Sequence, residues 1–221
     1  EHEYKSLMFL VLGWFLMVSD APFINGNTYY SLCRTGKRSW NMTMVLYLLV
    51  QGAIYTAGVA LPMVIMSLPC GFAGKMWSDP VYLLSQDYTM SQSAKYGISF
   101  LQRDMMRSMN MPKAFLATAL CFFLYVVLMG LILYTGNLLL GGIWGIVAAF
   151  IVHAGGFGLR FLGFGRLALA EYACPGNFAE AGGMHLTGPV AVMALLAAAL
   201  VVIQCCLIDK VDFKEQVHVQ E

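Results

Sequence analysis

"AFLATALCFFLYVVLMGLILYT", residues 114–135, carries no charged side chain, and its reading decides the fold. As a helix rising about 1.5 Å per residue it crosses the ~30 Å hydrocarbon core of a bilayer. As a barrel strand it would need alternating apolar and polar side chains over about ten residues, and it has no such alternation. The run encodes a membrane-spanning helix.

Working outward, four further apolar runs fall at residues 5–19, 42–68, 138–154 and 189–208. The composition agrees, since the 221 residues are 59% hydrophobic and 11% charged, whereas soluble domains carry roughly a quarter charged residues. The expected fold is therefore all-α, a polytopic transmembrane helical bundle with five visible spans. Run 5–19 is short for a full span. Pro62 lies inside the second span and predicts a kink, and Gly52 and Gly58 allow close helix approach. Thr135-Gly136-Asn137 reads as a tight turn that makes the third and fourth spans an antiparallel hairpin. Gly141 and Gly145 give the fourth span a small-residue packing surface.

The connections are of three kinds. Residues 69–113 form the longest polar one, and within it residues 91–111 place Ile98, Leu101, Met105 and Met109 at helical spacing beside Lys95, Arg103, Asp104 and Arg107, an amphipathic helix. Residues 155–188 are glycine-rich and semi-apolar, with Arg160, Arg166, Glu171 and Glu180, and suit short interfacial or re-entrant helices, a semi-embedded segment. With alternating spans, residues 20–41 share a side with the Thr135 turn and the C-terminal tail. Counting cations on the two sides leaves the orientation open: Arg34, Lys37, Arg38, Lys210 and Lys214 face seven on the other side.

Few catalytic readings survive. The chain has no HExxH, GxSxG or phosphate-loop motif, and its formal net charge of +1 gives no nucleic-acid footprint. The six cysteines lack CxxC spacing and read as non-catalytic, with Cys121, Cys205 and Cys206 as small hydrophobes inside apolar runs. None of His2, His153, His185 and His218 has a second histidine or a carboxylate at suitable helical spacing, so no metal site is expected. His153, near the end of an apolar run, reads as a helix-end histidine reaching the interface, with a cavity-facing role as the alternative. The spans contain no Asp or Glu, which weighs against a proton-coupled carrier.

What remains is "SDAPFINGNTYYSLCRTGKRSW", residues 19–40. Pro22 stops the first span, Asn25 to Thr28 supply turn and N-cap chemistry, and "TYYSLCRTG" is long enough for two helical turns ended by Gly36. Lys37, Arg38 and Trp40 then anchor the next span at the membrane interface. A short helix tied between two spans can act as a lever, and a plain basic loop on anionic lipid is the alternative.

"SDAPF" followed by "RTGKRSW" and a long apolar span resembles the small integral permeases of bacterial ATP-binding-cassette (ABC) transporters, of the type-two exporter class found especially in Gram-positive bacteria. The resemblance implies a single permease domain over residues 1–221 with six transmembrane helices, so that residues 5–19 end the second helix and the first is missing from the chain. It also implies that residues 20–41 are a cytoplasmic coupling loop and that residues 69–113 are extracellular. Tyr29, Tyr30, Leu32 and Arg34 would then contact a separate cytoplasmic ATPase. ATP and magnesium would belong to that partner and no cofactor to this chain. The expected protein is a multi-pass subunit of the cell membrane, not itself an enzyme, paired with a second permease copy or paralogue, in contact with the lipid bilayer and with no nucleic acid. The competing expectation is a non-transporting scaffold or sensor that recruits a cytoplasmic regulator; an intramembrane enzyme is a third.

Overall fold

The computed structural model describes residues 2–21, 32–68, 103–141, 143–180 and 183–211. These form helices α1 (His2–Val18), α2 (Lys37–Ser67), α3 (Arg103–Ser108), α4 (Met111–Leu140), α5 (Trp144–Phe161), α6 (Leu169–Tyr172) and α7 (Thr187–Leu207). Among the described residues the exceptions to helix are turns and one antiparallel hairpin, β1 (Ala179–Glu180) with β2 (Gly183–Met184). The fold is a helical bundle. Helices α2, α4 and α5, and the stretch Thr187–Lys210 that contains α7, are long and apolar enough to cross a membrane, whereas α1 is a shorter apolar helix.

The most apolar stretch is also the centre. Helix α4 packs against α1, α2, α5 and α7, and 56% of its span window is buried, against 17% to 22% for the other three spans. Its Tyr125, Leu128, Met129, Leu131, Leu133 and Tyr134 are enclosed together with Trp14, Leu48 and Met193. The remaining spans expose large apolar side chains such as Leu46, Ile54, Leu195 and Val202. In a bilayer those faces meet acyl chains at no hydrophobic cost, so an exposed apolar surface here is a lipid-facing one.

The predicted turn at Thr135-Gly136-Asn137 is corrected: all three residues lie inside α4, and the chain turns at Gly141, whose φ is 71°. Glycine and asparagine favour turns only when nothing else satisfies their surroundings. Here Thr135 Oγ1 donates to the Leu131 carbonyl at 2.6 Å, as a helical threonine can, and the Asn137 amide is taken up by two other helices. The antiparallel hairpin survives with a later turn, and α5 accordingly runs over Trp144–Phe161 and not 138–154. Its backbones touch: a Cβ on Gly136 would stand 2.6 Å from Gly145 Cα, and one on Gly145 would collide with the Leu133 carbonyl and the Asn137 side chain. Gly141 serves the turn and Gly145 the packing, so the two do not form one surface.

Other boundaries shift for similar reasons. Residues 155–161, read as the start of the irregular segment, continue α5; only after Leu162 does the chain break, at Gly163 with φ 85°. Of the expected amphipathic helix at 91–111, residues 91–102 lie outside the described residues. The described part forms a helix of its own only over Arg103–Ser108, and α4 then begins at Met111 with Pro112 in its first turn. Gly52 does meet a close neighbour, Val127, while a Cβ on Gly58 would meet nothing within 4 Å.

Candidate functional site: the junction of the 20–41 loop with the bundle

The two ends of the bundle differ, and the one that receives residues 20–41 is held by polar contacts. Residues 32–35 are helical, Gly36 at φ 82° breaks the helix, and α2 starts at Lys37. Leu32 is buried, whereas Cys33 and Arg34 are exposed. Tyr29 and Tyr30, assigned to partner contact from the sequence, lie outside the described residues.

Lys37, Arg38 and Trp40, assigned together as an interface anchor, are placed in two different settings. Lys37 Nζ donates to the carbonyls of Val211 and Asp209 at 2.7 and 3.3 Å. Arg38 donates through Nη2 and Nε to Asp209 Oδ2 at 2.7 and 3.2 Å. Both cations therefore sit on the C-terminal end of α7, where free carbonyls and the helix dipole favour positive charge. Trp40, 6% exposed, is instead part of the core.

Behind this clasp runs a layer of buried amides that the sequence reading missed. Tyr134 Oη donates to Asn41 Oδ1 at 2.7 Å, and Asn41 Nδ2 reaches Cys205 Sγ at 3.6 Å. Gln204 Nε2 donates to Thr135 Oγ1 at 2.8 Å. Asn137 joins three helices: its Nδ2 donates to the carbonyls of Ala21 and Ser19 at 2.7 and 3.2 Å, just past the end of α1, and its Oδ1 accepts from Gly145 N–H at 2.8 Å, at the start of α5. It thus supplies partners to helix-terminal groups that lack them within their own helices. Carboxamides within or beside otherwise apolar runs were the available signal, because a polar group in the hydrocarbon region needs an internal partner. Residues 19–21, Lys37, Asn137 and Asp209 consequently lie at one end, as alternating spans require.

His153 is placed differently from the expected helix-end position. It is fully buried in α5, with Nδ1 2.7 Å from Tyr125 Oη and the rings of Phe15 and Phe157 edge-on at 6.0 and 5.2 Å. Its Nε2 makes no hydrogen bond of ordinary geometry among the described residues. A snorkelling side chain requires a path to the interface, and the aromatic neighbours close it.

The opposite end is built from shorter pieces. A one-turn helix, two 3-10 turns and the hairpin follow α5, linked by Arg160 Nη1 to Glu171 Oε1 at 2.7 Å and Asn177 Nδ2 to Glu171 Oε2 at 2.6 Å. Between them opens a cleft of about 700 Å³. Among the described residues no cluster of three metal-ligating side chains occurs.

Fold and junction together define a polytopic helical membrane protein. Comparison with family models, curated proteins and solved structures finds no match to the chain. The function therefore rests on the site's own chemistry.

Proposed function

We propose that the chain is the membrane permease subunit of an ATP-driven exporter of the ABC class, forming the translocation path and driven by a separate cytoplasmic ATPase. The observation that supports it is the clasp of the loop to the bundle. Asn137 ties the chain just past α1 to α4 and α5, while Lys37 and Arg38 tie the start of α2 to the end of α7. A push on residues 22–36 therefore reaches both flanking helices and three others through short polar links. A loop serving only as a topological anchor on lipid needs no such linkage. In this reading Tyr29, Tyr30 and Arg34 meet the ATPase, whereas Leu32, assigned to the same contact from the sequence, is buried in the core and supports the loop from behind; ATP and magnesium are bound by the partner.

The test is photo-crosslinking from the exposed Cys33 in native membranes, with mass spectrometry of the captured species. An ATPase carrying a phosphate loop is expected, and Arg34→Gln should then uncouple ATP hydrolysis from transport while leaving assembly intact. Efficient capture of lipid alone, or of a protein without nucleotide-binding motifs, would replace the permease reading with a scaffold or sensor subunit.

A further inference from the structure

The cleft at the end of the bundle away from the junction has a charge and a surface that the proposed coupling does not use. Its carboxylate is already satisfied, because Glu171 accepts from Arg160 through one oxygen and from Asn177 through the other. Arg166, also on the cleft wall, uses among the described residues only its carbonyl, which accepts from the Tyr172 hydroxyl at 3.0 Å. Arg160, outside the lining, pairs with the lining carboxylate Glu171, and the Arg166 guanidinium is left as the one lining charge that no described residue pairs, with the exposed His185 imidazole beside the same space. An uncompensated guanidinium in a concave site favours an anion, and its planar fork of donors matches phosphate.

The apolar half of the lining defines the rest of the occupant. Phe164 and Leu167 are 60% and 69% exposed, and they continue outward into Phe161 and Leu162 at the end of the α5 span. Such a patch is costly in water and is matched by acyl chains at the boundary of a bilayer. The required partner has an anionic head and a hydrocarbon tail. A zwitterionic head adds an ammonium group, and the carboxylate it would need is already held by Arg160.

We propose that this cleft binds the phosphate headgroup of an anionic phospholipid, with Arg166 and His185 donating to the phosphate and the acyl chains lying along Phe164 and Leu167. The site is independent of the permease reading, since it lies at the other end of the bundle and needs no ATPase.

The experiment is native mass spectrometry of the full chain released from nanodiscs that contain equal amounts of phosphatidylglycerol and phosphatidylcholine. Phosphatidylglycerol should be retained preferentially. Arg166→Gln should reduce that retention about tenfold, as loss of charge-assisted hydrogen bonds does, while Arg34→Gln at the far end leaves it unchanged. Leu167→Asn, on the apolar wall, should weaken retention with the charge intact and keeps the test open should the first variant fail to fold. Equal retention of the two lipids, or unchanged retention in Arg166→Gln, overturns the proposal. Competition by glycerol phosphate as effective as by lipid assigns the site to a soluble anion and overturns it as well.

Discussion

The two ends of this bundle solve the same problem in different ways. At the junction end, helix termini are closed by side chains reaching across from other helices: Asn137 to the chain after α1 and to the start of α5, and Lys37 to the end of α7. At the cleft end, the side-chain hydrogen bonds between described residues run from Arg160 to Glu171, from Asn177 to Glu171 and from Tyr172 to Arg166, all close in sequence, although helix α3 also packs on the hairpin from far away in the chain. The polar links of one end thus join distant helices, and those of the other join neighbouring turns.

Substitutions can break this contrast, and the largest effect is expected in the hairpin. Gly145→Val drives a branched side chain into the Leu133 carbonyl and Asn137, so the α4–α5 contact cannot form; no folded protein should be recovered from detergent extracts by size-exclusion chromatography. A normal monodisperse yield would show that the close approach is dispensable.

Asn137→Ala comes next. It removes the two donors to Ala21 and Ser19 and the acceptor for Gly145, and at about 0.6 kcal/mol per polar contact in a membrane protein the loss should be about 2 kcal/mol. Equilibrium unfolding in mixed micelles measures it, and a loss under half that value would remove Asn137 from its joining role. Tyr134→Phe leaves Asn41 Oδ1 without its donor and should cost about 1 kcal/mol in the same assay.

At the cleft end, Arg160→Gln should cost less than about 1 kcal/mol, because the Arg160 side chain is 44% exposed. If it destabilises as much as Asn137→Ala, the two ends are equally integrated and the contrast fails. The smallest effect belongs to Arg38→Gln. Its side chain is 75% exposed and Lys37 still holds the same helix end, so the unfolding midpoint should not move measurably; a clear shift would mean that the ion pair, and not Lys37, carries the clasp.

Much of the fold was legible because a bilayer leaves few choices. A long uncharged run has to be helical, since only a helix satisfies its own backbone in hydrocarbon, and the run at the centre of the chain became the centre of the bundle. The helical piece ended by Gly36 was legible too, over the residues that are described. The Thr135-Gly136-Asn137 turn misled because its polar side chains have partners far away in sequence: Gln204 for Thr135, and Ser19, Ala21 and Gly145 for Asn137. His153 misled likewise, since its partner Tyr125 lies on another helix.

The sequence by itself determined that the chain crosses a membrane as helices, that α4 and α5 form an antiparallel pair, and that the 20–41 loop shares an end with the C-terminal end of α7. Hydrophobic length and alternation of spans are one-dimensional properties and can be read from one dimension. Only the tertiary structure decided where the hairpin turns, that Trp40 and His153 are core residues, that Lys37 and Arg38 clasp α7, and that Arg160 is paired while Arg166, on the cleft wall, has no side-chain partner among the described residues. Each of these depends on which polar group meets which across helices, and pairing between distant residues is not written in the local pattern of either one.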